Sequence, residues 1–290
     1  MEHQVKQETA VLTASERLAA AVLLGLNGIG LVAVALLGPL GLKLLSYATS
    51  PSGLYQLMGQ DAANLLIGPV FIIGAVLFLK KRRSGERILA MSPLFLFYYG
   101  LSVGVGIEWN STVYSGNSHL AFPLFLLFVI SSIFLGVTAV GVFKNRTMRP
   151  LSRRFLLIYT IVFTIFLLMF AAMWLAEVKD VMQTGTSRGY GETPTAFWMI
   201  RYLDLGICIP LGFLSLYLLW TRPGSSAVVQ MLFYGFFLTM ALSVNAMGFV
   251  MFLKNDSHYR LAQQFVFLGL ALLTVTGAAA VTRENRSRAH

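Results

Sequence analysis

Residues 119–143 read HLAFPLFLLFVISSIFLGVTAVGVF, twenty-five positions without one Asp, Glu, Lys or Arg. Coiled as an α-helix this stretch is about 37 Å long, more than the roughly 30 Å hydrocarbon core of a bilayer. Inside lipid the backbone has to satisfy its own hydrogen bonds, which leaves helices or closed barrels. The two-residue alternation of a barrel strand is absent, so the stretch reads as a membrane-spanning helix. Seven further runs have the same character: 17–40, 60–80, 88–109, 155–177, 195–220, 227–253 and 261–282. The expected fold is all-α, a polytopic bundle of about eight transmembrane helices, forming a single membrane domain over 1–290.

Composition agrees. The 290 residues are 57% hydrophobic and 12% charged, where a soluble chain carries roughly 25% charged residues. The longest connections, 41–59 and 178–194, leave no room for a soluble domain. The first is partly apolar and reads as a short amphipathic helix at the interface. The polar N-terminus is followed by an apolar run too long for a signal-peptide core. It therefore reads as a retained tail, with Thr13 and Glu16 as a capping box for the first helix. The lone cysteine, Cys208, excludes an internal disulfide and a CxxC redox pair.

The loops set the orientation. Sixteen Lys and Arg fall on one side, among them Lys80 to Arg83, Arg87, Lys144, Arg146, Arg153, Arg154 and Arg222, against five on the other. Basic loops stay inside, so both termini are expected in the cytoplasm of a prokaryotic cell with the chain in its plasma membrane. The formal charge of +10 is then a property of one face. The expected partners are the lipid bilayer and its anionic inner-leaflet lipids. No aromatic or glycine-rich binding motif interleaves the charges, so nucleic acid is not expected as a partner.

An internal repeat of 1–150 and 151–290 is a further expectation. Span 2 runs from Asp61 through Gly68-Pro69 to FLKKRRSG; span 6 runs from Asp204 through Pro210 to LLWTRPGS. The aspartates are 143 residues apart, and the Asn-Arg pairs ending spans 4 and 8 are 140 apart. Four helices per half makes the halves parallel, related by an axis along the membrane normal, with a site between them. Both helices, Gln60-Asp61…Pro69…basic turn and Asp204…Pro210…basic turn, resemble a pattern recurring in an uncharacterised family of prokaryotic multi-span membrane proteins. The resemblance implies a multi-pass prokaryotic membrane protein and no activity or catalytic residues.

Polar residues gather at the external end. Counted from the basic turns, Asp61 and Asp204 come about 27–29 Å up their helices, Glu108 about 31 Å and Glu177 about 34 Å. His119 opens span 4 on that side, and Asn64 and Asn245 lie in the outer halves of spans 2 and 7; the cytoplasmic halves carry no comparable set. Arg201 and Asp204 are three apart on one helix. They read either as an i,i+3 ion pair at a wet interface, with Trp198 and Tyr202 as its aromatic belt, or as the lining of a cavity. Asp61 reads alternatively as a cap on the start of span 2. The candidate ligand-binding residues are Asp204, Arg201, Asp61, Asn64, Asn245, Glu108, Glu177 and His119. Tyr98 and Tyr99 read as packing residues, as do the glycines of GLNGIG at 25–30. Pro69, Pro93, Pro123 and Pro210 read as kinks.

Much chemistry is excluded. There is no Walker loop and no HExxH zinc motif. No lysine sits mid-span for a retinal Schiff base, and no histidine sits mid-span for haem. No cofactor or metal is expected. The leading expectation is a small-solute transporter or permease-like binding protein with an outward-facing polar site, taking a cation or coupling to protons. A sensor or accessory subunit comes second. A membrane enzyme comes third, since no nucleophile–base pair is visible.

Overall fold

In a computed structural model, residues 12–148, 150–187, 189–191 and 193–282 are described. Arg149, Arg188 and the two tails, with Lys6, Arg283, Arg286 and Arg288 of the charge count, lie outside that set. Among the described residues nine α-helices follow one another: α1 Ala14–Leu37, α2 Pro51–Leu79, α3 Arg83–Gly104, α4 Phe122–Phe143, α5 Arg153–Thr184, α6 Pro194–Leu203, α7 Ile209–Thr221, α8 Ala227–Leu253 and α9 Leu261–Val281. A single π-turn, Asp204–Cys208, joins α6 to α7 into one span. Eight helices are thus long and apolar enough to cross a membrane. The chain is a multi-pass integral membrane protein of the expected all-α class.

The helix starts follow local chemistry. Thr13 accepts from the Glu16 N–H while the Glu16 carboxylate takes the Thr13 N–H at 2.7 Å, the reciprocal cap expected from the sequence. Ser50 caps α2 with Pro51 in its first turn, nine residues earlier than expected. The turn preference of Ser-Pro outweighs the polarity of 51–59, so the second half of the segment anticipated as an interfacial helix is the beginning of α2. Likewise α5 runs on to Thr184 and ends on Gly185 at φ 74°, which shortens the second long loop. Pro123 sits at the start of α4, where no kink arises; Pro69 and Pro93 lie inside α2 and α3.

Neighbouring helices pack in chain order. α1 meets α2 and α4, and α3 meets α2 and α4, closing a ring. In the second half α5 meets α7 and α9, and α8 meets α7 and α9, closing another. The rings join where α8 meets α2 and α3, and where α6 meets α3. α1 and α2 cross closely because neither has a side chain at the crossing. A Cβ on Gly28 would lie 2.6 Å from the Gly68 carbonyl, and one on Gly68 would lie 2.6 Å from the Gly28 carbonyl. The apolar faces of α4, α5 and α9 remain largely open: only 28%, 28% and 22% of their apolar windows is buried, which makes them the lipid-facing rim.

Two ends can be told apart. Arg17 reaches the Phe78 carbonyl, Arg87 the Thr282 carbonyl and Arg146 the Glu86 carboxylate, gathering the starts or ends of five helices at a basic end. At the far end Asn117 ties the loop after α1 through Ser46 and Leu44.

Candidate functional site

Span 6 is not a plain α-helix. Pro210 lacks the N–H that the residue 206 carbonyl would receive, and just before it the chain opens one wider turn, with the Ile209 N–H donating to the Asp204 carbonyl. Pro69 and Pro93 sit inside α2 and α3 without such a turn, so the proline alone does not impose it. This turn carries Asp204, ten residues and about 15 Å inside the helix, where it is 5% exposed. Its carboxylate accepts from Trp174 Nε1 of α5 at 2.8 Å. The Tyr98 hydroxyl of α3 and the Cys208 thiol also face it.

Arg201 is held differently from either expectation. Its ion-pair partner is Glu177 on α5, not Asp204 on its own helix. The guanidinium lies between the rings of Phe197 at 3.8 Å and Trp174 at 4.3 Å, and donates to the Phe197 carbonyl. Two helices, α5 and α6, had to meet before that pairing was decided. Residues 201 and 204 are one turn apart, but the long arginine reaches to α5 and ion-pairs with Glu177, while its charge still acts on Asp204. Arg201 is buried, whereas Tyr202, offered as part of an aromatic belt, is exposed.

Asp61 forms a second buried centre. It lies ten residues inside α2, so it does not cap that helix. Instead it accepts from the Leu40 N–H at 3.2 Å and holds the turn after α1. Gly38 permits this: a Cβ there would sit 2.5 Å from the Asp61 carboxylate. Asn64 accepts from the Gln60 amide at 2.9 Å, and Tyr99 lies beside Asn64 and Asp61. Tyr47, in the loop, closes the group; burial and then the Asp61 carboxylate push its hydroxyl pKa up. Among the described residues no cation pairs with Asp61.

The remaining candidates serve elsewhere. Glu108 accepts from the Thr195 hydroxyl at 2.7 Å and backbone N–H at 3.3 Å, capping α6 from a distance. Thr193 makes no cap bond of its own. Asn245 binds the Phe267 carbonyl and accepts from Gln264, fastening α8 to α9. His119 is exposed and packs edge-on to Trp109. Asn64 belongs with Asp61, Glu177 with Arg201, and neither Asn245 nor His119 makes a polar contact with either centre.

Tyr98 and Tyr99 were read as packing, yet these adjacent residues on α3 turn their hydroxyls to the two centres, Tyr98 to Asp204 and Tyr99 to Asn64 beside Asp61. A 100° step per residue places neighbours on different faces. Two adjacent buried tyrosines each needing a hydrogen-bond partner were the available signal. The basic half also holds a polar set that reading missed. Ser215 and Gln230 bond side chain to side chain at 2.7 Å, and Tyr234 donates to Tyr159 at 2.8 Å.

Charge accounting narrows the chemistry. Of the four carboxylates singled out at the external end, Glu177 is matched by Arg201, and Glu108, which lies in the loop beyond the end of α3 at Gly104 rather than inside span 3, is matched by the start of α6. Asp61 and Asp204 remain, flanking α3. A buried carboxylate without a protein cation takes its balance from a proton or from a cationic ligand. Among the described residues no three His, Cys, Asp or Glu come together to hold a metal. No protein-family profile matches the chain, and no curated protein or solved structure is significantly similar to it.

Proposed function

We propose that this protein carries a small solute across a prokaryotic plasma membrane, binding it from the external side at a buried polar centre on span 6, with both termini cytoplasmic. The carrying observation is Asp204, a buried carboxylate on a π-turn, held by neutral donors while the nearby arginine is satisfied by Glu177. π-turns inside long helices recur at functional sites, where they aim one side chain out of register. An ionisable group well inside a span is costly to keep unless it is used. The solute class favoured is a small cation, or a neutral solute moved with a proton, with Asp204 taking up and releasing the positive charge. Trp174 and Tyr98 orient the carboxylate. Arg201 and Glu177 form the rigid polar wall outside it. Asp61 is the equivalent carboxylate of the first half, and α3 joins the two.

Proteoliposomes enclosing a pH-sensitive dye test this. Small amines and guanidinium compounds should move the dye signal more with protein than without. Asp204→Asn should abolish that difference while leaving the purified protein folded. Unchanged flux in Asp204→Asn removes Asp204 from the mechanism. Saturable, Asp204-dependent binding without flux selects the sensor reading instead.

A further inference from the structure

At the basic end a groove of about 820 Å³ opens between the start of α5 and the end of α9. Leu151, Ser152 and Phe155 form one wall; Thr276, Ala279 and Ala280 form the other. The groove exists because α9 offers only short side chains there and α5 touches α9 little. Its floor is apolar, and it faces the lipid rim. Its mouth is basic. Arg153 and Arg154 occupy the first turn of α5, both exposed and, among the described residues, without an ion pair. They follow Ser152 and precede Phe155, two residues that line the groove. The described carboxylates of this end are already engaged: Glu86 by Arg146 and Glu16 by Thr13. Among the described residues nothing acidic offsets the arginines. The Ser152 hydroxyl accepts from the Phe155 N–H and keeps its own proton to donate.

We propose that this groove is a binding site for one anionic phospholipid of the leaflet at the basic end. An acyl chain lies along Phe155, Thr276 and Ala279, and the phosphate meets Arg153, Arg154 and the Ser152 hydroxyl. Arginine suits this role because its planar fork matches phosphate oxygens, and basic pockets between spans are where anionic headgroups are recognised. A furrow with a charged mouth differs from the rest of the apolar rim, which any lipid covers equally. The site is independent of the transport reading, since it touches neither aspartate.

The test uses full-length protein delipidated in detergent and offered nanodiscs or mixed micelles of phosphatidylglycerol or phosphatidylcholine with identical chains. Native mass spectrometry should retain one phosphatidylglycerol under conditions that strip phosphatidylcholine, and only phosphatidylglycerol should raise Tm. Arg153→Gln with Arg154→Gln, both at exposed positions, should lower the headgroup preference about tenfold or more. Ala279→Trp should fill the groove and expel the lipid, while Tm in lipid-free detergent stays near that of the parent. Equal retention of the two lipids overturns the proposal. So does a preference untouched by both sets of variants, or the same Tm rise from glycerol 3-phosphate alone.

Discussion

At the residue scale the decisive fact is which carboxylate answers Arg201. With Glu177 as its partner, removing Asp204 does not strand a buried charge, but removing Glu177 does. Glu177→Gln should cost of the order of 3 kcal/mol, because a guanidinium held between two rings loses its counter-ion. Asp204→Asn should cost less than about 1 kcal/mol, since the amide oxygen still accepts from Trp174. Unfolding in detergent followed by tryptophan emission measures both; the reverse ranking would restore Asp204 as the partner of Arg201. The loop between α8 and α9 supplies a pH test. Burial of Asp256 works against its charge, but the His258 N–H, the Ser52 hydroxyl and the His258 ring outweigh it and hold its carboxyl below the usual range. A lowered folded-state pKa stabilises above the unfolded value of about 3.9, and that gain is lost as pH falls through the folded value. The Tm gap between the protein and Asp256→Asn should be full at pH 7 and close only in acid below pH 4. A gap that does not change with pH would assign the effect to packing.

At the element scale two glycines of one helix separate packing from propensity. A Cβ on Gly25 meets only Ala75 at 3.7 Å, an ordinary contact, whereas one on Gly28 presses on the Gly68 carbonyl. Gly25→Ala should be neutral or stabilising, because alanine is the better helix former by about 1 kcal/mol. Gly28→Ala should destabilise by about 1–3 kcal/mol by prising α1 from α2. Equal effects on Tm would mean that the crossing is looser than described. The sequence reading of GLNGIG as a packing surface rested on small residues alone, and it named the surface without its partner. The start of α2 was misjudged for a related reason. Hydropathy weighs side chains, and 51–59 is half polar; the helix is continued there by packing against α8, where Gly59 lies directly on the Met247 backbone.

At the scale of the whole molecule, orientation and symmetry are the open quantities. Eight spans bring the described ends of the chain to one side, and the Lys and Arg asymmetry predicts that this side is cytoplasmic. In a Cys208→Ser background, Lys43→Cys and Lys254→Cys should react with an impermeant maleimide on intact cells, and Arg82→Cys only after lysis. The opposite pattern would invert the molecule. The helix starts repeat the spacing of the aspartates. α2 and α6 both begin on a proline, Pro51 and Pro194, the same 143 residues apart as the aspartates, so each aspartate lies ten residues in. Each half also closes its own ring, and exchanging α2 with span 6 and α3 with α8 maps the packing of α2 on α8 onto that of α6 on α3, whereas the contact of α4 with α8 has no comparable counterpart among the described residues. If the halves are equivalent units, a permuted chain opened within 144–152, with its old ends linked, should insert and match the parent's Tm within a few degrees. A permutant that fails to fold, with its linker long enough to span the ends, would argue against independent halves.

The sequence by itself determined that this chain is an integral membrane protein with eight helices long and apolar enough to cross the bilayer. Those properties follow from transfer free energies and helix length, which are summed over a segment and need no neighbour. It also determined the capping box at Thr13, a purely local bond. Which polar groups meet was decided only by the tertiary structure. Arg201 found Glu177 rather than Asp204, Asp61 found the turn after α1 rather than its own helix end, and Tyr98 and Tyr99 parted, one to Asp204 and the other to Asn64 beside Asp61. Such choices depend on the rotation of each helix about its axis and on the reach of side chains across an interface. A hydropathy pattern rising and falling over twenty residues is uniform around the helix, and so leaves that rotation to packing.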